Sequence, residues 1–237
     1  MPNLSANPWV RPGPSRLHPV LIAISGNIGA GKSTLTQRLA DHYGYRADLE
    51  SVRDNPYLDD FYLDMARWAF PLQIYFLNQR FRQARRVAPS DEGVVMDRTL
   101  YEDAEIFAAN LRQLGHLSER DYQNYRGLYD TMLSFVRLPD LLIYLRGSVP
   151  TLQARIQQRY RANPPARANE NRIPADYLQH LNERYDAWVQ SFSLAPVFTI
   201  PIDSVDLAQS AQFAALVGRI DQWRNVARRA AAPNHTS

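Results

Sequence analysis

The segment VLIAISGNIGAGKSTLTQRLA, residues 20–40, constrains the fold more than any other part of the chain. An apolar run leads into a glycine-rich turn that fits the pattern G-x-x-x-x-G-K-[ST], and a helical pattern follows it. Glycines let main-chain N–H groups approach an anion closely, and the new helix adds its positive dipole end. The segment therefore predicts a phosphate-binding loop (P-loop) formed by Gly26, Asn27, Ile28, Gly29, Ala30, Gly31, Lys32, Ser33 and Thr34.

Two side chains of this loop have the chemistry that a nucleoside triphosphate requires. We expect Lys32 to reach the β- and γ-phosphates and the Ser33 hydroxyl to ligate Mg²⁺. The chain has 27 lysines and arginines, and Lys32 is the only lysine among them. A compact ammonium is thus kept where a forked guanidinium would not substitute. This usage favours a nucleotide site over a chance glycine turn.

Short apolar runs and helical stretches alternate along the chain. Strands are predicted at 20–25, 45–49, 93–97, 140–145 and 197–202, and helices at 32–43, 57–67, 71–87, 100–114, 119–137, 149–161, 175–192 and 207–229. Thr99-x-x-Glu102 and Ser118-x-x-Asp121 are typical of helix starts. Together with the P-loop, the pattern predicts an α/β P-loop fold, a five-stranded parallel sheet with helices on both faces. One domain is expected over 20–230, between a disordered proline-rich tail (1–19) and a disordered C-terminal tail (231–237).

Composition excludes several classes of function. The absence of cysteine excludes disulfides, thiolate nucleophiles and thiolate zinc sites. The net charge of +3 comes without basic runs interleaved with aromatic residues, so no nucleic-acid partner is expected. No apolar run approaches the roughly 18 residues that a membrane span needs. We therefore expect a cytoplasmic protein with neither a nucleic acid nor a membrane as partner.

Acidic residues stand at the ends of two predicted strands, where parallel sheets gather their ligands. The third strand ends in Asp97-Arg98, and an apolar strand that ends in Asp is typical of the Mg²⁺ site of P-loop enzymes. The second strand ends in Glu50, which suits a general base for a hydroxyl acceptor. A monophosphate acceptor needs no such base, and the ordinary alternative for Glu50 is a surface carboxylate. The GTPase motif N-K-x-D is absent, so these features predict a kinase.

Longer segments of the chain form an ordered series of motifs. They are GNIGAGKST (26–34), Glu50 with NPYL and DFY (55–62), WAFPLQIYFLNQRF (68–81), DRTLYEDAEIFA (97–108), PDLLIYL (139–145), RIQQRYR (155–161), and Glu170 with IPADYLQHLNERYDAW (173–188). This series resembles the deoxynucleoside kinase family, which includes deoxycytidine, deoxyguanosine and bacterial deoxyadenosine kinases. The resemblance runs from Val20 to about Asp206, and its most bacterial-like segments are DRTLYEDAEIFA and FLNQRF.

This resemblance implies transfer of the γ-phosphoryl group of ATP, with Mg²⁺, to the 5′-hydroxyl of a deoxynucleoside in nucleotide salvage by a homodimer. Glu50 matches the family's general base, and Arg98 matches the arginine that steadies this base and the phosphates. Tyr62 and Glu170 match the residues that hold the sugar 3′-hydroxyl. The residues that match the base-recognition set are Gln73, Arg80 and Asp103. Gln73 and Arg80 lie two helical turns apart and so share one face of a helix.

The arginine-rich stretch after the fourth predicted strand is consistent with a solvated basic face or a phosphate clamp. In the family this stretch is the mobile lid, and Arg155, Arg159 and Arg161 match its arginines by position. We assign Arg155 to the phosphate donor and the other two to catalysis. The segment ANPPARAN (162–169) makes this lid longer than the family's compact one, so Arg167 inside it matches only weakly.

Three questions stay open at this point: which base is accepted, whether another class of nucleotide-binding protein fits the motifs, and what the aromatic stripe contacts. A carboxylate acceptor at Asp103 suits an exocyclic amino group, and the Arg80 donors suit N7 or the O6 of guanine. The bacterial likeness favours a purine deoxynucleoside, with deoxycytidine as the alternative. A thymidylate-type monophosphate kinase or a non-catalytic nucleotide sensor would leave Glu50 or the arginines unexplained. The aromatic stripe Tyr122, Tyr125, Tyr129, Met132 and Val136 fits core packing, with a subunit interface as its alternative.

Overall fold

A computed structural model describes residues 20–49, 55–87, 91–163 and 172–230. The predicted tails 1–19 and 231–237 lie outside these residues. The strands form one parallel sheet in the order β2-β3-β1-β4-β5, and each lies within one residue of its predicted bounds. They are β1 (Leu21–Gly26), β2 (Arg46–Asp48), β3 (Val94–Asp97), β4 (Leu141–Arg146) and β5 (Val197–Pro201).

Helices cover both faces of this sheet, as predicted. They are α1 (Lys32–Tyr43), α2 (Leu58–Leu63), α3 (Met65–Val87), α4 (Leu100–Glu102), a π-helical segment (Asp103–Ala108), α5 (Ala109–Gln113), α6 (Glu119–Leu133), α7 (Val149–Ala162), α8 (Ala175–Ser191) and α9 (Ser210–Ala230). Thr99 and Ser118 cap the starts of α4 and α6, which confirms both capping predictions. No helix in the described ranges combines the length and apolarity of a membrane span.

The sequence interpretation places a helix break before Pro71, and this is wrong. The break lies at Asp64, whose extended backbone ends α2 and whose Oδ1 accepts the Arg67 N–H at 3.1 Å. Asp64 therefore caps the start of α3, and Pro71 lies inside that helix. Proline removes one main-chain donor from the helix, but the buried residues of α3 on both sides of Pro71 hold the helix against the core.

Alternate residues of the central strands point to opposite faces of the sheet. Ile143 of β4 packs into a cluster with residues of α1 and α9, whereas the neighbouring Tyr144 packs into a second cluster with α3, α6 and α8. Both clusters are buried, so the central strands of the sheet are covered by packed side chains on both faces. This is why the strands appear in the sequence as nearly continuous apolar runs.

The aromatic stripe of α6 belongs to the second cluster. Tyr125 and Tyr129 are 0% and 3% exposed, Tyr122 is buried beside them, and Met132 and Val136 pack against the same cluster. The core interpretation of the stripe is therefore confirmed. The side chains that α6 exposes lie on its other face and include Leu128.

Candidate active site

A cavity of about 1010 Å³ lies at the carboxyl edge of the sheet. Parallel sheets bind ligands at this edge, because the strand ends and the loops that follow them meet there. Its wall comprises the P-loop, the end of β3, parts of α2, α3 and α7, and the segment 205–208. One continuous space therefore connects the P-loop to Gln73 of α3.

The P-loop has a backbone that requires glycine. Gly26, Gly29 and Gly31 have φ of 146°, 86° and 93°, and a Cβ on Gly26 would lie 2.7 Å from the Leu145 carbonyl oxygen. The Lys32 ammonium donates to the Asn27 carbonyl oxygen at 3.0 Å. The Asn27 amide donates in turn to the Leu178 carbonyl of α8 at 3.0 Å. The loop is thus shaped by its glycines and anchored to α8.

Ser33 and Asp97 meet at the mouth of the P-loop. The Ser33 hydroxyl donates to Asp97 Oδ2 at 2.5 Å. Asp97 is 1% exposed, and among the described residues its Oδ1 has no hydrogen-bond partner. A buried carboxylate oxygen without a donor beside a serine hydroxyl is a donor set that suits a hard cation such as Mg²⁺. The two predicted metal ligands are therefore adjacent.

Arg98 follows β3 with φ of 71° and lines the cavity. Its guanidinium donates to the Tyr185 hydroxyl at 2.8 Å and lies 4.6 Å from the centre of the Phe107 ring. Glu102 lies 3.6 Å from the same guanidinium and is fully buried. The sequence interpretation treats Glu102 only as a capping residue and does not single out Tyr185.

The predicted base-recognition residues come together at the cavity, where Gln73 and Asp103 line the wall and Arg80 pairs with Asp103 without contributing to the wall itself. Gln73, Arg80 and Asp103 are each at most 3% exposed, and Arg80 Nε lies 3.3 Å from Asp103 Oδ2. Asp103 begins the π-helical segment, a rare local structure that is frequent at functional sites. Gln73 Oε1 is buried and has no hydrogen-bond partner within the described part of the chain. This wall can exchange hydrogen bonds with a polar ligand edge.

Gln83 contacts Arg80 from outside the cavity wall, and the sequence interpretation overlooks it. Its Oε1 accepts from Arg80 at 2.8 Å, and its Nε2 donates to the Asp48 carbonyl oxygen at 3.0 Å. It thereby fixes the guanidinium and ties α3 to the end of β2. The sequence signal that could have identified Gln83 is its spacing from Arg80, because residues three apart lie on the same face of a helix.

The arginines of the lid divide into two groups. Arg155 donates to the Ala30 and Ile202 carbonyl oxygens at 3.1 and 3.3 Å and so joins the P-loop to the chain after β5. Arg159 lines the cavity, whereas Arg161 is exposed and does not contribute to the cavity wall. Arg167 lies outside the described residues.

Of the remaining predicted substrate-binding positions, the structure describes Tyr62 but not Glu50 or Glu170. Tyr62 of α2 lines the cavity, as its predicted substrate contact requires. Glu50 and Glu170 lie outside the described residues, so their predicted roles stay predictions. The segment 205–208 also lines the cavity, and Leu207 is held there because its carbonyl oxygen accepts from Arg38 of α1. This segment has no composition or motif that sequence reasoning could have used.

Comparison with known proteins agrees with this geometry. The family model described as "Deoxynucleoside kinase" matches residues 22–224. A deoxyadenosine/deoxycytidine kinase of Bacillus subtilis is 39% identical over 189 residues, which is 79% of this chain and 84% of the relative. A deoxyadenosine kinase of Dictyostelium discoideum is 41% identical over 193 residues, covering 79% and 76%.

Solved structures show the same fold. The structure of deoxyadenosine kinase from M. mycoides with bound dCTP has a TM-score of 0.73 and 30% identity, and the match covers 86% of this chain and all of that one. The family match covers β2 to β5, all of β1 except its first residue, and the residues of the cavity wall. The chain belongs to the deoxynucleoside kinase family, and it is an enzyme that phosphorylates deoxynucleosides.

Proposed function

We propose that this enzyme transfers the γ-phosphoryl group of ATP to the 5′-hydroxyl of a deoxynucleoside, as a cytoplasmic salvage kinase. The observation that carries the proposal is the single cavity that joins the P-loop to the buried side chains of Gln73 and Asp103, the second of which is paired with Arg80. The P-loop suits the phosphates of the donor, and the polar wall suits the edge of a base. The reacting hydroxyl then lies between them, beside Arg98.

The phosphate end of the cavity supplies the electrostatic part of catalysis. Lys32 and Arg159 line it and carry the positive charge that offsets negative charge on the transferring phosphoryl group. Asp97 and Ser33 would hold Mg²⁺, which when bound neutralises the phosphate oxygens. Glu50 is proposed to accept the proton of the 5′-hydroxyl, and Tyr62 and Glu170 to hold the 3′-hydroxyl. In this arrangement, the protein positions charge rather than forming a covalent intermediate.

The donor's own base is proposed to lie beside the segment 205–208. This segment lines the same cavity on the far side of the P-loop, next to Arg38 and Arg155. Arg155 holds the Ala30 and Ile202 carbonyls together, so the distance between the P-loop and this segment is fixed. ATP is the donor that we propose, and any nucleoside triphosphate has the phosphates that the P-loop needs.

A purine deoxynucleoside is the proposed acceptor. Asp103 can accept from an exocyclic amino group, and Gln73 offers both a donor and an acceptor. Relatives with 33–41% identity are named deoxyadenosine or deoxyguanosine kinases, which supports this choice. Deoxycytidine is the second candidate, because it has such an amino group and because the relative from Bacillus subtilis is named for both deoxyadenosine and deoxycytidine.

The proposed assembly is a homodimer formed by the outer face of α6 and the turn that follows it. Leu128 and Phe135 are 39% and 57% exposed; Leu128 lies in the last two turns of α6, and Phe135 follows two residues after its end. Tyr125 and Tyr129 of the same helix pack into the core. Exposed apolar residues so near each other in the chain support a contact with a second copy of it.

An acceptor assay tests the proposed reaction. The protein is incubated with ATP and Mg²⁺ and, in separate reactions, with each deoxynucleoside or its 5′-monophosphate, and the position of the new phosphate is determined by ³¹P NMR. The proposal predicts 5′-monophosphate products from deoxynucleosides and no diphosphate from monophosphates. Turnover of a deoxynucleoside monophosphate at a comparable rate would contradict it and would favour a monophosphate kinase.

A further inference from the structure

We infer that Glu102 and Tyr185 are positioning residues that hold the Arg98 guanidinium in place for phosphoryl transfer. The inference rests on the proposed role of Arg98 at the phosphate end of the cavity. Arg98 lines the cavity, whereas Glu102 and Tyr185 lie behind it and do not contribute to its wall. Any influence of these two residues on the reaction must therefore pass through Arg98 or the loop beside it.

The backbone of Arg98 is the first reason why this side chain needs support. Among the described non-glycine residues, Arg98 alone has a positive φ, 71°. Such a conformation costs on the order of 1–3 kcal/mol and persists only where surrounding contacts fix it. The Arg98 N–H donates to the Ile24 carbonyl oxygen of β1 at 2.9 Å, which fixes the main chain. The side chain needs contacts of its own.

Those contacts form a relay of two hydrogen bonds. Arg98 donates to the Tyr185 hydroxyl at 2.8 Å, and that hydroxyl donates to Glu102 Oε2 at 2.8 Å. Glu102 and Tyr185 are both 0% exposed. Burial raises the pKa of Tyr185 well above its ordinary value, so the hydroxyl keeps its proton at neutral pH. A neutral hydroxyl can accept from Arg98 and donate to Glu102 at the same time.

Glu102 also joins this relay to the P-loop. Its Oε1 accepts from the Thr99 N–H at 2.9 Å, and its Oε2 lies 3.5 Å from the Gly26 nitrogen. A single buried carboxylate thus contacts the first residue of the P-loop, the turn that carries Arg98, and α8. Hydrogen bonds to a charged group are about twice as strong as neutral ones, so this carboxylate is well suited to fix three elements.

Aromatic rings limit the remaining freedom of the relay. The Phe107 ring lies 4.6 Å from the Arg98 guanidinium carbon, and the Tyr144 ring stacks on Tyr185 with 5.8 Å between centres. The guanidinium is therefore held by a ring on one side and by a hydroxyl at its end. A displacement of about 1 Å at a reacting site can cost 10²-fold in rate, so this precision has a direct effect on turnover.

Removing the Tyr185 hydroxyl tests the inference. Tyr185→Phe keeps the ring in the core, and Tyr43→Phe is the matched control because it removes a hydroxyl that bonds to Asp221 at 3.1 Å, outside the cavity wall. We expect Tyr185→Phe to lower kcat roughly 10- to 100-fold, in line with the cost of small misplacements, with little change in KM for the deoxynucleoside. Tyr43→Phe should leave kcat unchanged, and thermal unfolding is measured for both variants.

A double-mutant cycle with Arg98→Ala separates positioning from a general effect on the core. If Tyr185 acts through Arg98, adding Tyr185→Phe to Arg98→Ala lowers kcat no further. If the two losses multiply, the inference is overturned, and it is likewise overturned if Tyr185→Phe and Tyr43→Phe lower kcat equally. Glu102→Gln keeps the shape of the carboxylate and provides the same test should Tyr185→Phe fail to fold. Normal kcat in Arg98→Ala alone would instead contradict the proposed role of Arg98.

Discussion

The guanidinium of Arg80 donates to the main-chain carbonyl oxygen of Asp97 at 3.2 Å, so the base-recognition wall and the proposed metal site share one residue. The side chain of Asp97 accepts from Ser33 of the P-loop at 2.5 Å. Asp97 is thus fixed from two sides, by α3 through its backbone and by α1 through its carboxylate. The two ends of the cavity are therefore held at a fixed position relative to each other.

Replacing Asp97 with Asn keeps its shape and removes the negative charge that would hold Mg²⁺. We expect turnover to fall by about 10²–10³, comparable to the loss of a major electrostatic contact, and the Mg²⁺ concentration for half-maximal activity to rise. Steady-state kinetics over a Mg²⁺ titration measures both. Asp91→Asn, at an exposed position before β3, is the control and should behave as the unmodified enzyme. An unchanged Mg²⁺ dependence in Asp97→Asn would refute the ligand assignment.

Glu50→Gln removes the proposed proton acceptor and keeps the hydrogen-bonding shape. Turnover should fall by roughly 10²–10⁴, because a hydroxyl nucleophile depends on a general base. The affinity for ATP, measured by isothermal titration, should stay close to that of the unmodified enzyme. Near-normal turnover in this variant would eliminate the general-base role and restore the monophosphate-kinase interpretation.

Arg159→Ala should lower kcat more than it weakens nucleoside binding. The reason is that Arg159 lines the phosphate end of the cavity, where a guanidinium contributes most when charge develops in the transition state. The control is Arg82→Ala, which removes an exposed arginine from α3. An effect of Arg159→Ala that is limited to the KM of the nucleoside would place this residue in ground-state binding instead.

Asp48 gives a prediction for the dependence of stability on pH. Burial raises the pKa of its carboxyl above the ordinary value, although Arg86, Arg46 and Arg80 oppose the shift. The folded state therefore favours the protonated form, and the stability that this group contributes is present below its ordinary pKa and is lost as pH rises through the raised one. Asp48→Asn should then raise the unfolding temperature at pH 7, with a gain that shrinks as pH falls toward about 4.

Differential scanning calorimetry of the two proteins from pH 4 to pH 8 measures this difference, with Asp91→Asn as the control at an exposed site. Gln83 contacts the main-chain carbonyl of Asp48, so the substitution leaves that hydrogen bond in place. A gain for Asp48→Asn that stays constant over this pH range would show that its cause is not the titration of Asp48.

The strands, the P-loop and the Asp97–Arg98 turn are predictable because each is encoded locally, by an apolar run or by a fixed spacing. The relay of Glu102 and Tyr185 is not, since these residues lie 83 positions apart and only tertiary packing brings them together. The break at Asp64 illustrates a different failure. Proline suggests a helix end, but the Asp64 cap about two turns earlier and the packing of α3 outweigh this local preference.

The double variant Arg80→Met and Asp103→Ala removes both charges of the base-recognition wall together. Changing one alone would leave the other as a buried charge without its ion pair, at a large cost in stability. A site built on polar pairs can discriminate by a factor of up to about 10⁴–10⁵ against a base that leaves those pairs without partners. Discrimination between bases should therefore fall steeply in this variant. The ratio of kcat/KM for deoxyadenosine to that for thymidine measures the loss, and circular dichroism checks the fold. A ratio equal to that of the unmodified enzyme would show that these residues do not select the base.

The most direct measurement is kcat/KM of the unmodified enzyme for deoxyadenosine, deoxyguanosine, deoxycytidine and thymidine with ATP and Mg²⁺. Thymine lacks both the exocyclic amino group that Asp103 would accept from and the N7 that suits Arg80, and it adds a methyl group. We predict the highest value for a purine deoxynucleoside and the lowest for thymidine. If thymidine had the highest value, the roles assigned to Arg80 and Asp103, and with them the proposed use of the cavity, would be wrong.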